Sequence, residues 1–214
     1  MAAQPIFITG IGTGIGKTIV SAIITEALQA DFWKPVQAGF KDGTDTVEIK
    51  ELISNNLSVI HPEAYKLSLP ASPHIAARKD NIHIDLNGIK EKYHQLSTNS
   101  HQLIIEGAGG LMVPLNENEF VIDLIQKLSA RVILVSRNYL GSINHSLLTA
   151  AVCKQRNIDV IGWVFNGAYM NYEDEIVQWT SIPKIAAVPF VEYVTSDFIL
   201  AEAKKIKVQL LTLL

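Results

Sequence analysis

Cysteine is almost missing: Cys153 stands alone among 214 residues. That excludes an internal disulfide framework and any cysteine-built zinc site. Excess charge of one sign is missing too. Eighteen Lys and Arg against 21 Asp and Glu leave a net charge of -3, spread along the chain. The electrostatic term that dominates nonspecific binding to nucleic acid or anionic membrane is therefore lacking, and neither is an expected partner. No apolar run approaches the roughly 18 residues of a membrane span. The first residues carry no basic region followed by an apolar core and a cleavage site, so a reducing cytoplasm is the expected address. Repeats, low-complexity segments and linkers rich in Pro, Gly or Ser are absent; Pro62 to Pro73, with three prolines, reads as an irregular excursion. The histidines show no metal-like spacing, with His74 and His145 expected in loops. No Ser/His/Asp or Cys/His arrangement suggests a covalent nucleophile.

What is present is a core. Apolar residues make up 48% of the chain, and they gather in short runs: Ile6 to Ile8, Phe32-Trp33, Leu103 to Ile105, Val132 to Val135, Val160 to Phe165 and Ile185 to Val188. The runs do not alternate with polar residues, which is the pattern of strands covered on both faces. Helical spacing occupies Lys17 to Leu28, Asp85 to Leu96, Phe120 to Leu128, Ile143 to Lys154 and Tyr172 to Trp179, and a terminal helix is expected within Ala201 to Leu214. The alternation predicts an α/β fold, a mostly parallel sheet with helices on both faces, in one domain spanning 1–214. Right-handed crossovers then gather the loops after the strands on one edge, where ligands of such sheets bind.

The densest chemistry lies there. Thr9 to Thr18 reads TGIGTGIGKT directly after the first apolar run. A strand running into glycines and then Lys-Thr at a helix start describes a phosphate-binding loop, whose backbone N–H groups and helix N-terminus meet a polyphosphate. Gly12, Thr13, Gly14, Ile15, Gly16, Lys17 and Thr18 form the candidate nucleotide contacts, with Lys17 on the β- and γ-phosphates and the Thr18 hydroxyl on Mg2+. The spacing is a variant, since five residues rather than four separate Gly10 from Gly16. A nucleotide loop calls for Mg2+ and carboxylates. Glu106 ends an apolar strand before Gly107-Ala108-Gly109-Gly110, where a metal-facing carboxylate belongs. Asp45 is a second candidate and equally a helix cap. Lys34 ends another strand, placed either to neutralise a transferring phosphoryl group or to face solvent.

Six separated motifs give the chain a family resemblance. Gly10, Thr13 and Gly16-Lys17-Thr18; Trp33-Lys34-Pro35-Val36 with Gly39; Pro70 to His74; Glu106 to Gly110; Leu140 to His145; and Gly162-Trp163-Val164 with Asn166 resemble the dethiobiotin synthetases, P-loop NTPase-type enzymes of biotin synthesis. The longer loop is that family's own spacing. The resemblance implies a ligase in which 7,8-diaminononanoate captures CO2 as a carbamate, ATP phosphorylates the carbamate, and the second amine displaces phosphate to close a cyclic urea. It implies Mg2+ on Thr18, Asp45 and Glu106, with Lys17, Lys34 and Thr13 as catalytic residues and Asn166 reading adenine. Substrate contacts are implied at Lys34, Ala38, Ser72, Pro73 and Gly107. Leu140, Gly141, Ser142, Ile143 and Asn144 are implied to receive the substrate carboxylate from a neighbouring subunit, which makes a homodimer with its site at the interface. Read without the resemblance, this last segment is an ordinary helix cap.

Two positions depart from the family. Gly14 stands where some members carry glutamate, and Ala38 where a serine or threonine hydroxyl is usual, so a carbamate contact must come from backbone, from Gln37, or be lost. Two rival readings remain at this level. ATP-driven partitioning switches share such loops and favour a basic face or amphipathic tail, for which Lys204, Lys205 and Lys207 are the available residues. Glutamine-dependent amidotransferases need a further domain and a nucleophilic cysteine, which Cys153, in mid-helix, does not supply.

Overall fold

The computed structural model describes residues 3–41, 43–98, 101–167 and 169–214. Its elements run β1 (Ile6–Gly10), α1 (Lys17–Leu28), β2 (Asp31–Trp33), β3 (Val36–Ala38), α2 (Asp45–Leu52), β4 (Ile60–His61), β5 (Tyr65–Leu67), α3 (Pro73–Lys79), α4 (Leu86–Ser97), β6 (Leu103–Glu106), α5 (Val121–Lys127), β7 (Arg131–Arg137), α6 (Ser142–Gln155), β8 (Val160–Asn166), α7 (Glu173–Thr180), β9 (Lys184–Val188) and α8 (Ser196–Leu213). Seven strands form one sheet in the order β4-β2-β6-β1-β7-β8-β9, each neighbouring pair parallel. The continuous apolar runs are explained by its two faces. Along β1, Phe7 joins one core with Trp33, Leu103, Ile105 and Leu134, while Ile6 and Ile8 join the other with Phe32, Ile104 and Ile133. Successive side chains of a strand point to opposite faces, so both must be apolar when helices cover both. The first face is covered by α3 to α7 and the second by α1, α2 and α8. No helix of the described residues is long and apolar enough to cross a membrane.

Several local expectations are corrected. The excursion from Pro62 to Pro73 contains β5, which pairs in parallel with β3 as a separate two-stranded sheet. His74 lies in α3 and His145 in α6 rather than in loops. Helix α2 goes unseen in the sequence because only Ile49 and Leu52 of its eight residues are buried, too few for an apolar stripe. Asp42 lies outside the described residues.

Candidate active site

Strand β1 sits between β6 and β7, and its chain leaves the sheet at Gly10. A Cβ there would stand 2.1 Å from the Val135 carbonyl oxygen, so only glycine fits. The loop ends at Gly16, which caps α1 with φ 86° and supplies no side-chain partner to the helix. The first-turn N–H groups are thus left to whatever enters the loop, an anion by preference. Lys17 folds back so that Nζ donates to the Gly12 carbonyl at 2.7 Å. Burial pulls its amine down to about 8, against the raising effect of Glu106 and with a smaller lowering effect from Lys34.

The strand register assembles the rest. Trp33 of β2 is paired with Ile105 of β6, so the residues that follow each, Lys34 and Glu106, emerge side by side. Lys34 is 6% exposed and Glu106 1%, which decides against a solvent-facing lysine. The Lys34 ammonium lies 2.9 Å from Glu106 Oε1 and also pairs with Asp45. Thr18 Oγ1 donates to the same Glu106 oxygen at 3.3 Å. Asp45 occupies the first position of α2, while the capping oxygen belongs to Thr44, which accepts from the Val47 N–H at 3.3 Å. The alternative of Asp45 as cap therefore falls.

Glu106 Oε2 is buried with no hydrogen-bond partner among the described residues. A buried carboxylate oxygen left unpaired is costly, and here it stands beside a second carboxylate and a hydroxyl. That all-oxygen set fits Mg2+, which keeps several waters and takes only one or two carboxylates. Glu48, one turn beyond Asp45, also lines the cleft; burial and then the Glu106 charge push its carboxyl upward. It escaped sequence reading with the helix that carries it, although a spacing of three from Asp45 is the signal that places both on one face.

These groups open into a cleft of about 720 Å³. It brings together Thr13, Gly14, Gly16, Lys17, Thr18, Lys34, Ala38, Asp45, Ser72, Pro73 and Glu106 of the candidates. Gln37, named in the sequence as a substitute for the hydroxyl missing at Ala38, joins them; its Nε2 donates to the Gly39 carbonyl at 2.9 Å and its buried Oε1 has no hydrogen-bond partner among the described residues. Ser72 is the residue that caps α3, with Oγ 3.0 Å from His74 Nδ1. Other candidates lie elsewhere. Ile15 is buried in the core, Gly12 borders a neighbouring apolar hollow, and Gly107 backs onto Phe7, whose ring a Cβ would approach to 2.6 Å. Asn166 donates from Nδ2 to the Ile15 carbonyl at 2.6 Å.

The segment from Leu140 to Asn144 does not line the cleft of its own chain. Leu140 is 87% exposed, Gly141 and Asn144 are exposed and Ile143 half-buried at the start of α6. Ser142 is buried, its hydroxyl 2.6 Å from the Tyr172 hydroxyl and its N–H donating to the Tyr139 carbonyl. Cys153 is buried and its thiol pushed up to about 12 by burial, which leaves it unreactive.

Comparison with known proteins adds three findings. Residues 4–197 match a family described as an AAA domain. The chain is 50% identical to an ATP-dependent dethiobiotin synthetase of Cytophaga hutchinsonii over 94% of this chain and 95% of the relative. It is 53% identical to the same-named protein of Christiangramia forsetii over 75% of each. Among solved structures it resembles a ParA family ATPase from Chlorobium tepidum, with TM-score 0.62, 15% identity and 98% of each chain covered. The cell division ATPase MinD of Pyrococcus furiosus aligns with TM-score 0.60 at 15% identity, covering 96% of this chain and 99% of its own. At that identity the last two speak for a shared fold alone.

Proposed function

The chain belongs to the ATP-dependent dethiobiotin synthetase family, and from that premise we propose how its residues carry the activity. It is a C–N bond-forming ligase of biotin synthesis that uses ATP with Mg2+ to join CO2 to 7,8-diaminononanoate as a cyclic urea. The observation that carries the residue-level reading is the buried Lys34 ammonium, shared between Glu106 and Asp45 beside the open N-terminus of α1.

In this reading Thr18, Asp45 and Glu106 would hold Mg2+, which would supply charge neutralisation for phosphoryl transfer. The loop from Gly12 to Thr18 binds the phosphates through its N–H groups, with Lys17 as their cation. Lys34 faces the carbamate and stabilises the charge that moves when a phosphoryl group is transferred to it. Thr13, Ala38, Ser72 and Pro73 shape the substrate end, Gly107 contributes only as the backbone between the cleft residues Glu106 and Ala108, and Asn166 keeps a second N–H and an acceptor for the adenine edge after bonding Ile15. Phosphoryl transfer needs positioning and charge stabilisation rather than a covalent nucleophile, which agrees with the inert Cys153.

We further propose one domain working as a homodimer in the cytoplasm. Leu140, Gly141, Ser142, Ile143 and Asn144 serve the neighbouring subunit's cleft; their position outside their own cleft supports this, and Ser142 acts by fixing the start of α6. The test is product analysis: purified protein is given Mg-ATP, 7,8-diaminononanoate and 13C-bicarbonate, and the products are analysed by mass spectrometry. A labelled cyclic urea is the expected product, and a diamine recovered unchanged would refute the assignment.

A further inference from the structure

Two side chains outside the cleft reach the phosphate loop from behind. Arg137 ends β7 and Asn166 ends β8, and the two are register partners. They donate to consecutive loop carbonyls: Arg137 Nη1 to Gly14 O at 3.3 Å, and Asn166 Nδ2 to Ile15 O at 2.6 Å. A trans peptide is planar, with its C=O and the following N–H on opposite sides, and the described chain has no cis peptide. Drawing the Gly14 carbonyl toward Arg137 turns the Ile15 N–H away from it. Drawing the Ile15 carbonyl toward Asn166 does the same to the Gly16 N–H. In sheet order β7 and β8 lie to one side of β1, and β6 and β2, which end at Glu106 and Lys34, lie to the other. The two N–H groups are thus turned from β7 and β8 toward the charged side of the cleft. Packing does not do this work at Gly14, since nothing lies within 4 Å of where its Cβ would stand.

We infer that Arg137 is a nucleotide-positioning residue, which with Asn166 holds the loop so that the Ile15 and Gly16 N–H groups face the phosphate chain. The inference rests on reading Thr9 to Thr18 as the polyphosphate loop. Arg137 is exposed, so its replacement leaves no buried gap and the melting temperature is expected to stay unchanged.

The probe is inorganic tripolyphosphate, which carries phosphates without base or ribose, titrated calorimetrically into wild type, Lys17→Ala, Arg137→Met and Arg137→Lys. Arg137→Met should weaken binding by about 10-fold, the low end for the loss of one charged-donor hydrogen bond at an exposed site, and Arg137→Lys should recover part of it. The KM for ATP should rise by the same factor while the KM for the diamine stays within about twofold. Failure of wild type to bind, or equal binding by Lys17→Ala, would overturn the loop reading itself. Wild-type binding with Arg137→Met within twofold of it would overturn the Arg137 inference alone. A parallel rise in both KM values, or a lowered melting temperature that Arg137→Lys does not restore, would likewise overturn it as a general structural effect.

Discussion

Lys34 is held by two carboxylates at once, and its removal should be felt in two separate ways. Glu106, which is buried, and Asp45, which is partly exposed, lose their cation, and breaking a buried pair such as Lys34 with Glu106 costs about 3–5 kcal/mol. In metal-free buffer Lys34→Met should lower unfolding stability by that order, and Mg-ADP should restore part of it. With Mg-ATP present, kcat should fall by about 10²- to 10³-fold, as for other lost stabilisers of developing charge, while ADP affinity, left to Lys17 and the loop, changes little. Denaturant unfolding and steady-state kinetics read the two effects separately. Ala38 poses the opposite case, a wall position without a hydroxyl. Gln37 next to it already directs its amide nitrogen to Gly39. Ala38→Ser should therefore raise kcat/KM for the diamine by about tenfold, one hydrogen bond to a charged group; an unchanged value would mean that the contact is supplied elsewhere.

At the scale of elements, α1 does two things: its first turn presents Lys17 and Thr18, and Glu26 near its end secures the chain that leaves α2. The Glu26 carboxylate accepts from Ser54 N at 2.9 Å, Ser54 Oγ at 3.0 Å and Asn55 Nδ2 at 2.9 Å. Burial pushes its carboxyl upward, but the hydrogen bonds from Asn55 and Ser54 together outweigh this and hold it below the ordinary carboxylate range. A depressed value means that its stabilisation is present above that range and is lost as pH falls through the folded value. Glu26→Gln should thus lower stability by about 1–3 kcal/mol at pH 7. Urea unfolding should show the gap from wild type closing as the pH drops below about 4. Much of this level was legible in advance. The buried strands were short but continuous apolar runs, and the loop into α1 announced itself by its glycines and Lys-Thr. What stayed hidden depended on partners distant in sequence: α2 lacks an apolar stripe, Glu48 went unseen with it, and the burial of Ser142 is made by Tyr172 across 30 residues. Arg137 reads as a polar strand end until the register sets it beside Asn166 and under the loop.

For the whole molecule, a two-fold assembly in which the segment from Leu140 to Asn144 completes the partner's cleft makes a sharp prediction. Lys34→Met and Asn144→Asp chains should each be nearly inactive. Mixing them and allowing exchange should regenerate one complete site in each mixed dimer, or roughly a quarter of wild-type activity for random pairing of isologous subunits; no recovery would place the segment outside its neighbour's site. On the proposed function, the cleft around Lys34, Glu106 and Asp45 spends ATP only on closing a ring. The most direct measurement is the ratio of phosphate released to cyclic urea formed, followed in one reaction with and without 7,8-diaminononanoate. One phosphate per ring, with release nearly abolished when the diamine is withheld, is the predicted result. Phosphate release that proceeds at the same rate without the diamine would contradict it.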